Sequence, residues 1–285
     1  MSEPIILVTG ATGNIGRALV QRLSSAGARV IAGSPSGESV AGAPGRVVRF
    51  EDPASLQTAF EGVERLFLLL PLVPGKAALA RHAVDAAKAA GVRFLLRSSG
   101  AGADPLSPVA VARLQGEIDQ IVIDSGIDHA LVRPNSFMQN FIQFYGGMIK
   151  GGTVYLSHAD GRSSFIDVAD IAAVDAAILL DPKAHVGKAY TVTGPEALSA
   201  REALDAIGAE IGRRIEYVPV PEAAAVASMK QLGMDDWTVG ILSSLDQVIA
   251  NGWAAEVSPA VQQITGRAPR SFAQFASDNA AAWRR

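Results

Sequence analysis

Three glycines, Gly10, Gly13 and Gly16, stand three apart in the stretch ILVTGATGNIGRALV, residues 6–20. An apolar run precedes them and a helix-forming run follows. A strand, a turn almost without side chains and a helix N-terminus together cradle phosphates, because the helix's first amides face the ligand. Gly10 permits the sharp turn, Gly13 lets backbone approach a pyrophosphate, and Gly16 lets the helix pack on the strand. With Thr12, Asn14 and Ile15 they make a candidate dinucleotide loop. The spacing is G-x-x-G-x-x-G rather than G-x-G-x-x-G.

A second discriminator is the end of the next strand, where an acid commonly binds the ribose hydroxyls of NAD. The chain reads VIAGSPSGES there, without an acid at the expected point. Ser34 and Ser36 are candidates to donate to a 2′-phosphate, which leans the reading from NAD towards NADP.

Other chemistries find less support. The four histidines, His82, His129, His158 and His185, have no H-x-x-x-H or similar ligand spacing, and cysteine is absent, so no metal site is expected. His158 falls in a candidate pocket loop as a possible proton donor. No G-x-S-x-G elbow occurs. Asp167 and Asp170 resemble a carboxylate pair, but three apart at a helix start they read as caps.

The elements that must hold these residues alternate regularly. Apolar runs at 5–10, 29–33, 46–50, 65–71, 92–99 and 128–134 are separated by helix-like segments. Asp52 reads as an N-cap and Gly91 as a C-cap. This pattern predicts an α/β fold, a doubly wound parallel (Rossmann) sheet whose ligand lies at the carboxyl ends of the strands. After Pro134 the regularity weakens. The expected division is residues 1–134 with about 164–194 as the dinucleotide-binding domain. About 135–163 with 195–285 form a smaller, mostly C-terminal substrate region.

A net charge of −3 argues against a polyanionic partner, so no nucleic acid is expected. The start lacks a basic, apolar leader. The longest apolar stretch, 66–73, is broken by Pro71 and too short to span a bilayer. A cytoplasmic protein without a membrane partner is expected, with its oligomeric state left open.

The stretches VTGATGNIGR, DPASLQTAFEGVERLFLLLP, HAVDAAKAAGVRFLLRSSGAGAD, DSGIDHALVRPNSFMQNF and FIDVADIAAV carry a resemblance over residues 5 to 195. The chain resembles the atypical, NmrA-like branch of the short-chain dehydrogenase/reductase superfamily. That branch contains NAD(P)H-dependent quinone and dye reductases and also NADP-sensing regulators. The superfamily's usual proton device is Tyr-x-x-x-Lys. None of Tyr145, Tyr155, Tyr190 and Tyr217 has lysine four residues on.

Some relatives place lysine or histidine on the helix after the fifth strand, where this chain has Gln115. Glutamine can hydrogen-bond a ribose or a carbonyl but cannot act as an acid near neutral pH. By the resemblance, Ser98 and Ser99 end the fifth strand beside the nicotinamide, and the backbone of Leu70 and Pro71 follows the cofactor. Pro134, Asn135 and Phe137 flank the nicotinamide, while Met138, Asn140 and Phe141 face the substrate. Ser99 and Gln115 are the candidate catalytic residues. Aromatic rings and methionine suit a flat acceptor. The resemblance therefore implies hydride transfer to a small, flat, quinone- or dye-like acceptor. The alternative it leaves is a non-catalytic NAD(P) sensor.

Overall fold

The computed structural model describes residues 3–284; Met1, Ser2 and Arg285, which the expected domain bounds include, lie outside the described residues. The chain divides into two compact units. The first takes residues up to Ser107, Ala112–Arg133 and Ile171–Thr191. The second takes Pro108–Val111, Pro134–Asp170 and residues from Val192 on.

The first unit alternates strand and helix: β1 (Ile5–Thr9), α1 (Asn14–Ser25), β2 (Arg29–Ser34), β3 (Gly45–Val47), α2 (Pro53–Phe60), β4 (Arg65–Leu68), α3 (Lys76–Ala89), β5 (Phe94–Ser98), α4 (Ala110–Asp124) and β6 (Asp128–Pro134). Strands β3, β2, β1, β4, β5 and β6 lie side by side in that order, and every one of those pairings is parallel. The order reverses between β1 and β4. This is the switch point at which doubly wound sheets hold ligands. The Asp52 carboxylate accepts from the amides of Ala54 and Ser55, and Pro53 follows it, which starts α2 cleanly.

Both the fourth and third strands are shorter than their apolar runs suggest. The chain leaves β4 after Leu68, although Leu70 remains buried in the same core. That core packs Leu7, Leu66, Leu68, Leu95 and Leu131 of the sheet against α2, α3 and α4. Continuous apolar strands are what burial of a parallel sheet requires.

The second unit contains α5 (Asn140–Gln143), α6 (Gly146–Gly151), β7 (Thr153–Leu156) and β8 (Arg162–Ser163). Helix α7 (Val168–Leu180) begins in it and continues in the first unit; strand β9 (Lys188–Val192) joins the large sheet beside β6. There follow β10 (Leu198–Ser199), α8 (Ala200–Ile211), β11 (Glu216–Pro219), α9 (Glu222–Gln231), α10 (Asp236–Ala250), α11 (Ala260–Thr265) and α12 (Phe272–Asp278). Residues 164–167 are not helical as the sequence suggested. Ile166 bridges Phe137 instead, and the return to the first unit starts at Ile171. Edge-to-face rings fill this unit's core: Phe141 meets Phe165 at 5.2 Å and Phe272 at 4.9 Å between centroids.

In the part of α7 that belongs to the first unit, Asp175 is an outlier among buried side chains. It lies in α7 with 0% exposure, and neither carboxylate oxygen has a hydrogen-bond partner. Burial pushes its pKa well above the usual carboxylate value. A raised carboxyl stabilises the fold at acid pH and loses that contribution as pH rises through its folded pKa. Asp175→Asn removes the titration. At pH 7 the variant is expected to melt higher than wild type, by on the order of 5 °C, with the advantage vanishing towards pH 4 in thermal scans.

Candidate active site

The glycine loop is held from below by a threonine. Thr9 Oγ1 donates to the carbonyl of Phe67 at 3.0 Å and accepts from the amide of Leu69 at 2.9 Å. This ties the end of β1 to the segment leaving β4. Gly10 then turns with φ +64°, a conformation costly for any residue with a β-carbon. Gly16 seats α1 on that turn: a β-carbon there would lie 2.1 Å from the Gly10 carbonyl oxygen. Gly13 is the helix N-cap with extended backbone; no side chain caps α1, and no acid occupies its first turn. Thr12 is half-buried, Gly13 and Asn14 are exposed, and Ile15 packs inwards. The loop thus offers backbone donors and the positive end of a helix dipole to an anion. These features fit a dinucleotide's pyrophosphate.

Beside it, the end of β2 is a stapled turn. Ser34 is buried, its hydroxyl accepts from the Gly37 amide at 3.0 Å, and it lies 3.2 Å from the exposed Ser36 hydroxyl. Ser34 therefore shapes the turn, and Ser36 is the hydroxyl available to a ligand. Leu70 is buried and Pro71 exposed after β4. Ser98 and Ser99 are buried at the end of β5, and the Ser99 hydroxyl has no hydrogen-bond partner.

The first unit also holds a buried charged group that periodicity did not reveal. Arg97, in β5, has 0% exposure. Its Nη2 donates to Gln115 Oε1 at 2.6 Å, while Nε and Nη1 have no hydrogen-bond partner. Its nearest carboxylate is Asp119, 4.0 Å away, which Arg133 engages at 3.0 Å. Lys76, at the start of α3, is 4% exposed. Burial, then the Arg97 charge, pulls its pKa down to about 7, against an opposing pull from Asp119. Burial also lowers Arg97 to about 10, opposed by Asp119, so it stays cationic at neutral pH. The available signal was an arginine inside the run FLLRS, directly after three apolar residues of a strand expected to be buried.

In the second unit, the residues expected near a ligand are largely structural in their contacts. Pro134 is buried. Asn135 spends its amide on Ser164 Oγ and the Ala254 carbonyl, both at 2.7 Å, and its Oδ1 accepts from the Ser136 amide. Met138 and Phe141 are wholly buried among Phe165, Phe272 and their neighbours. Phe137 and Asn140 keep accessible surface. His158 is buried with Nε2 3.0 Å from Asp246 Oδ1, while Ser157 donates to Oδ2 of the same carboxylate at 2.6 Å. The neighbouring Tyr145 phenol is pushed up in pKa by burial and by the Asp246 charge. Asp246, nearly ninety residues further on, had no sequence signal linking it to His158. Asp167 accepts from the Ala169 amide at the start of α7 and pairs with Arg270 at 3.1 Å. Among the described residues no group of acids and histidines could hold a metal.

Strand order, switch point and glycine cradle together define a dinucleotide-binding doubly wound protein. The chain matches the NmrA-like family over residues 2–261 and belongs to it. It is 36% identical to an NAD(P)H azoreductase from Xenophilus azovorans over 98% of this chain and 99% of that protein. It is 35% identical to a (4-alkanoyl-5-oxo-2,5-dihydrofuran-3-yl)methyl phosphate reductase from Streptomyces griseus, over 98% and 99%. Among solved structures, an NADPH-dependent quinone oxidoreductase from Escherichia coli, complexed with NADPH, superposes with a TM-score of 0.85. Identity there is 27%, covering 96% of this chain and 99% of that one.

Two substitutions test the geometry. Gly16→Ala drives a methyl into the Gly10 carbonyl. A loss of about 1–3 kcal/mol in urea melts is expected, with NADPH affinity in a fluorescence titration falling more than about tenfold as the helix amides shift. Lys76→Met keeps the buried stem and removes the charge. A lysine whose folded pKa is depressed costs stability fully below about pH 7, and the cost disappears as pH rises towards 10.5. The variant is expected to be more stable than wild type at pH 6.5 by on the order of a few kcal/mol. The gap should close near pH 10, in denaturant melts at both values.

Proposed function

We propose that this protein is an NAD(P)H-dependent reductase that delivers a hydride to a small, flat, electrophilic acceptor of the quinone or azo type. The observation that carries the reading is the intact glycine cradle at the switch point, in a chain aligned end to end with a named azoreductase. The dihydronicotinamide, when bound, supplies the hydride. The chain's own work is to bind, orient and exclude water. Gly10, Thr12, Gly13, Asn14, Ile15 and Gly16 hold the pyrophosphate. Leu70, Pro71 and Ser98, with Pro134, Asn135 and Phe137, are assigned to the nicotinamide half, and Ser99 and Gln115 to polar contacts with the reacting groups. Asn140 is assigned to the acceptor, with the buried Met138 and Phe141 supporting it from the second unit's core. A reduced quinone is a stable oxyanion that takes its proton from water, so the reaction needs no Tyr–Lys pair.

The preferred cofactor is NADPH. No acid precedes Glu38 beyond the end of β2, so nothing there repels a 2′-phosphate, and Ser36 offers it a donor. The test is NADPH and NADH oxidation against a panel of quinones and azo dyes, with both affinities measured by fluorescence. Acceptor-dependent turnover with NADPH bound severalfold tighter is expected. Cofactor binding without turnover on any acceptor would instead favour a sensor, and tighter NADH would reverse the cofactor preference alone.

A further inference from the structure

We propose that Arg97 is a positioning residue that makes Gln115 an obligate hydrogen-bond donor to the electronegative atom of the acceptor. The inference rests on the reductase reading above. It begins from the fact that a guanidinium has only donors. Arg97 Nη2 stands 2.6 Å from Gln115, so the atom facing it must be the carbonyl oxygen Oε1. That assignment removes the usual ambiguity of an amide side chain. The other end, the NH2 group, must then face away from Arg97.

Nothing in the protein accepts from that NH2 among the described residues, and Gln115 is only half-buried. The side chain lies over Gly100, where a β-carbon would sit 3.4 Å from Gln115 Cγ and 3.7 Å from Nε2. Gly100 directly follows Ser98 and Ser99 at the carboxyl end of β5, the edge at which doubly wound sheets hold their ligands. Gln115 thus presents two N–H donors, and no acceptor, at this edge.

Arg97 is well placed to enforce this. It is fully buried, flanked by the like charge of Lys76 and by Asp119, whose Oδ2 is taken by Arg133. Among the described residues the bond to Gln115 is the guanidinium's one hydrogen bond, since Nε and Nη1 have none. Inverting the amide would set NH2 against a buried cation that has no other neutral acceptor to turn to.

The chemistry selects the ligand atom. It must carry a lone pair and need not carry hydrogen: a quinone oxygen or an azo nitrogen. The hydride brings two electrons to the acceptor and leaves oxidised nicotinamide. Negative charge then collects on that oxygen or nitrogen, where the Gln115 N–H bond strengthens. A proton from water completes the hydroquinone or hydrazine, and Gln115 transfers none.

The test compares Gln115→Glu, Arg97→Met and Arg97→Lys in the full-length protein, with a simple 1,4-benzoquinone as acceptor. Gln115→Glu keeps an oxygen for Arg97 but has no N–H, and kcat is expected to fall on the order of 100-fold with NADPH Kd unchanged. Arg97→Met frees the amide to rotate and is expected to lower kcat about tenfold. Arg97→Lys, which restores a donor, should recover much of that loss. Equal damage from Arg97→Met and Arg97→Lys in folded proteins would reduce Arg97 to a packing role. Loss appearing in NADPH Kd rather than kcat would move the donor to the cofactor's ribose and overturn the acceptor assignment. Should Arg97→Met not fold, Gln115→Glu and Arg97→Lys still decide. An active wild type with an unimpaired Gln115→Glu sinks this inference alone, whereas an inactive wild type sinks the reductase reading.

Discussion

The first unit's site depends on one close approach, the absent side chain of Gly16 against the carbonyl of Gly10. With 2.1 Å where a β-carbon would stand, no other residue lets α1 rest on the turn that leaves β1. That contact aims the helix's uncapped amides at the switch point of the sheet. Thr9, at the end of β1, reinforces it by bonding Phe67 of the neighbouring strand and Leu69 just beyond it. The phosphate cradle is therefore a packing solution before it is a binding solution. Ligand affinity and helix–strand packing share the same atoms, so they cannot be tuned separately.

A second constraint is electrostatic. Lys76, Arg97 and Arg133 surround a single carboxylate, Asp119, in and beside the first unit's core. Buried charges in such excess raise no stability; their removal by apolar isosteres is often neutral or favourable. What they supply is directional: a cation has no acceptor atoms, so it dictates which end of a neighbouring amide meets it. An apolar residue at 97 would leave Gln115 free to present either end. The charged arrangement thus trades fold stability for a defined polarity at the end of β5.

The fold was legible because its signals are local. A strand buried on both faces must be continuously apolar, as in RLFLLL, and a phosphate turn must lack side chains, as at Gly10, Gly13 and Gly16. Strand ends were less legible, since Leu70 is apolar because it is buried and not because it is paired. The segment after Pro134 was read by residue type, and type does not distinguish a ring that stacks on a ligand from one that fills a core. Phe141 does the latter, meeting three other rings edge to face. Ser34 shows the same limit: a serine at the end of β2 offers a hydroxyl to a phosphate or to a turn amide, and here the Gly37 amide takes it. Arg97 with Gln115, and His158 with Asp246, are pairs made by tertiary folding, 18 and 88 residues apart, for which one sequence carries no spacing rule.

The missing Tyr–Lys pair gains meaning from these arrangements. That pair matters most when the product anion is strongly basic, as when a simple ketone becomes an alkoxide. A quinone's oxyanion is far weaker as a base, so a site that only donates hydrogen bonds suffices to stabilise it. Gln115 has the right polarity for that task and no capacity for acid catalysis. An acceptor whose reduced form holds its own charge is therefore the chemistry that this set of residues can serve.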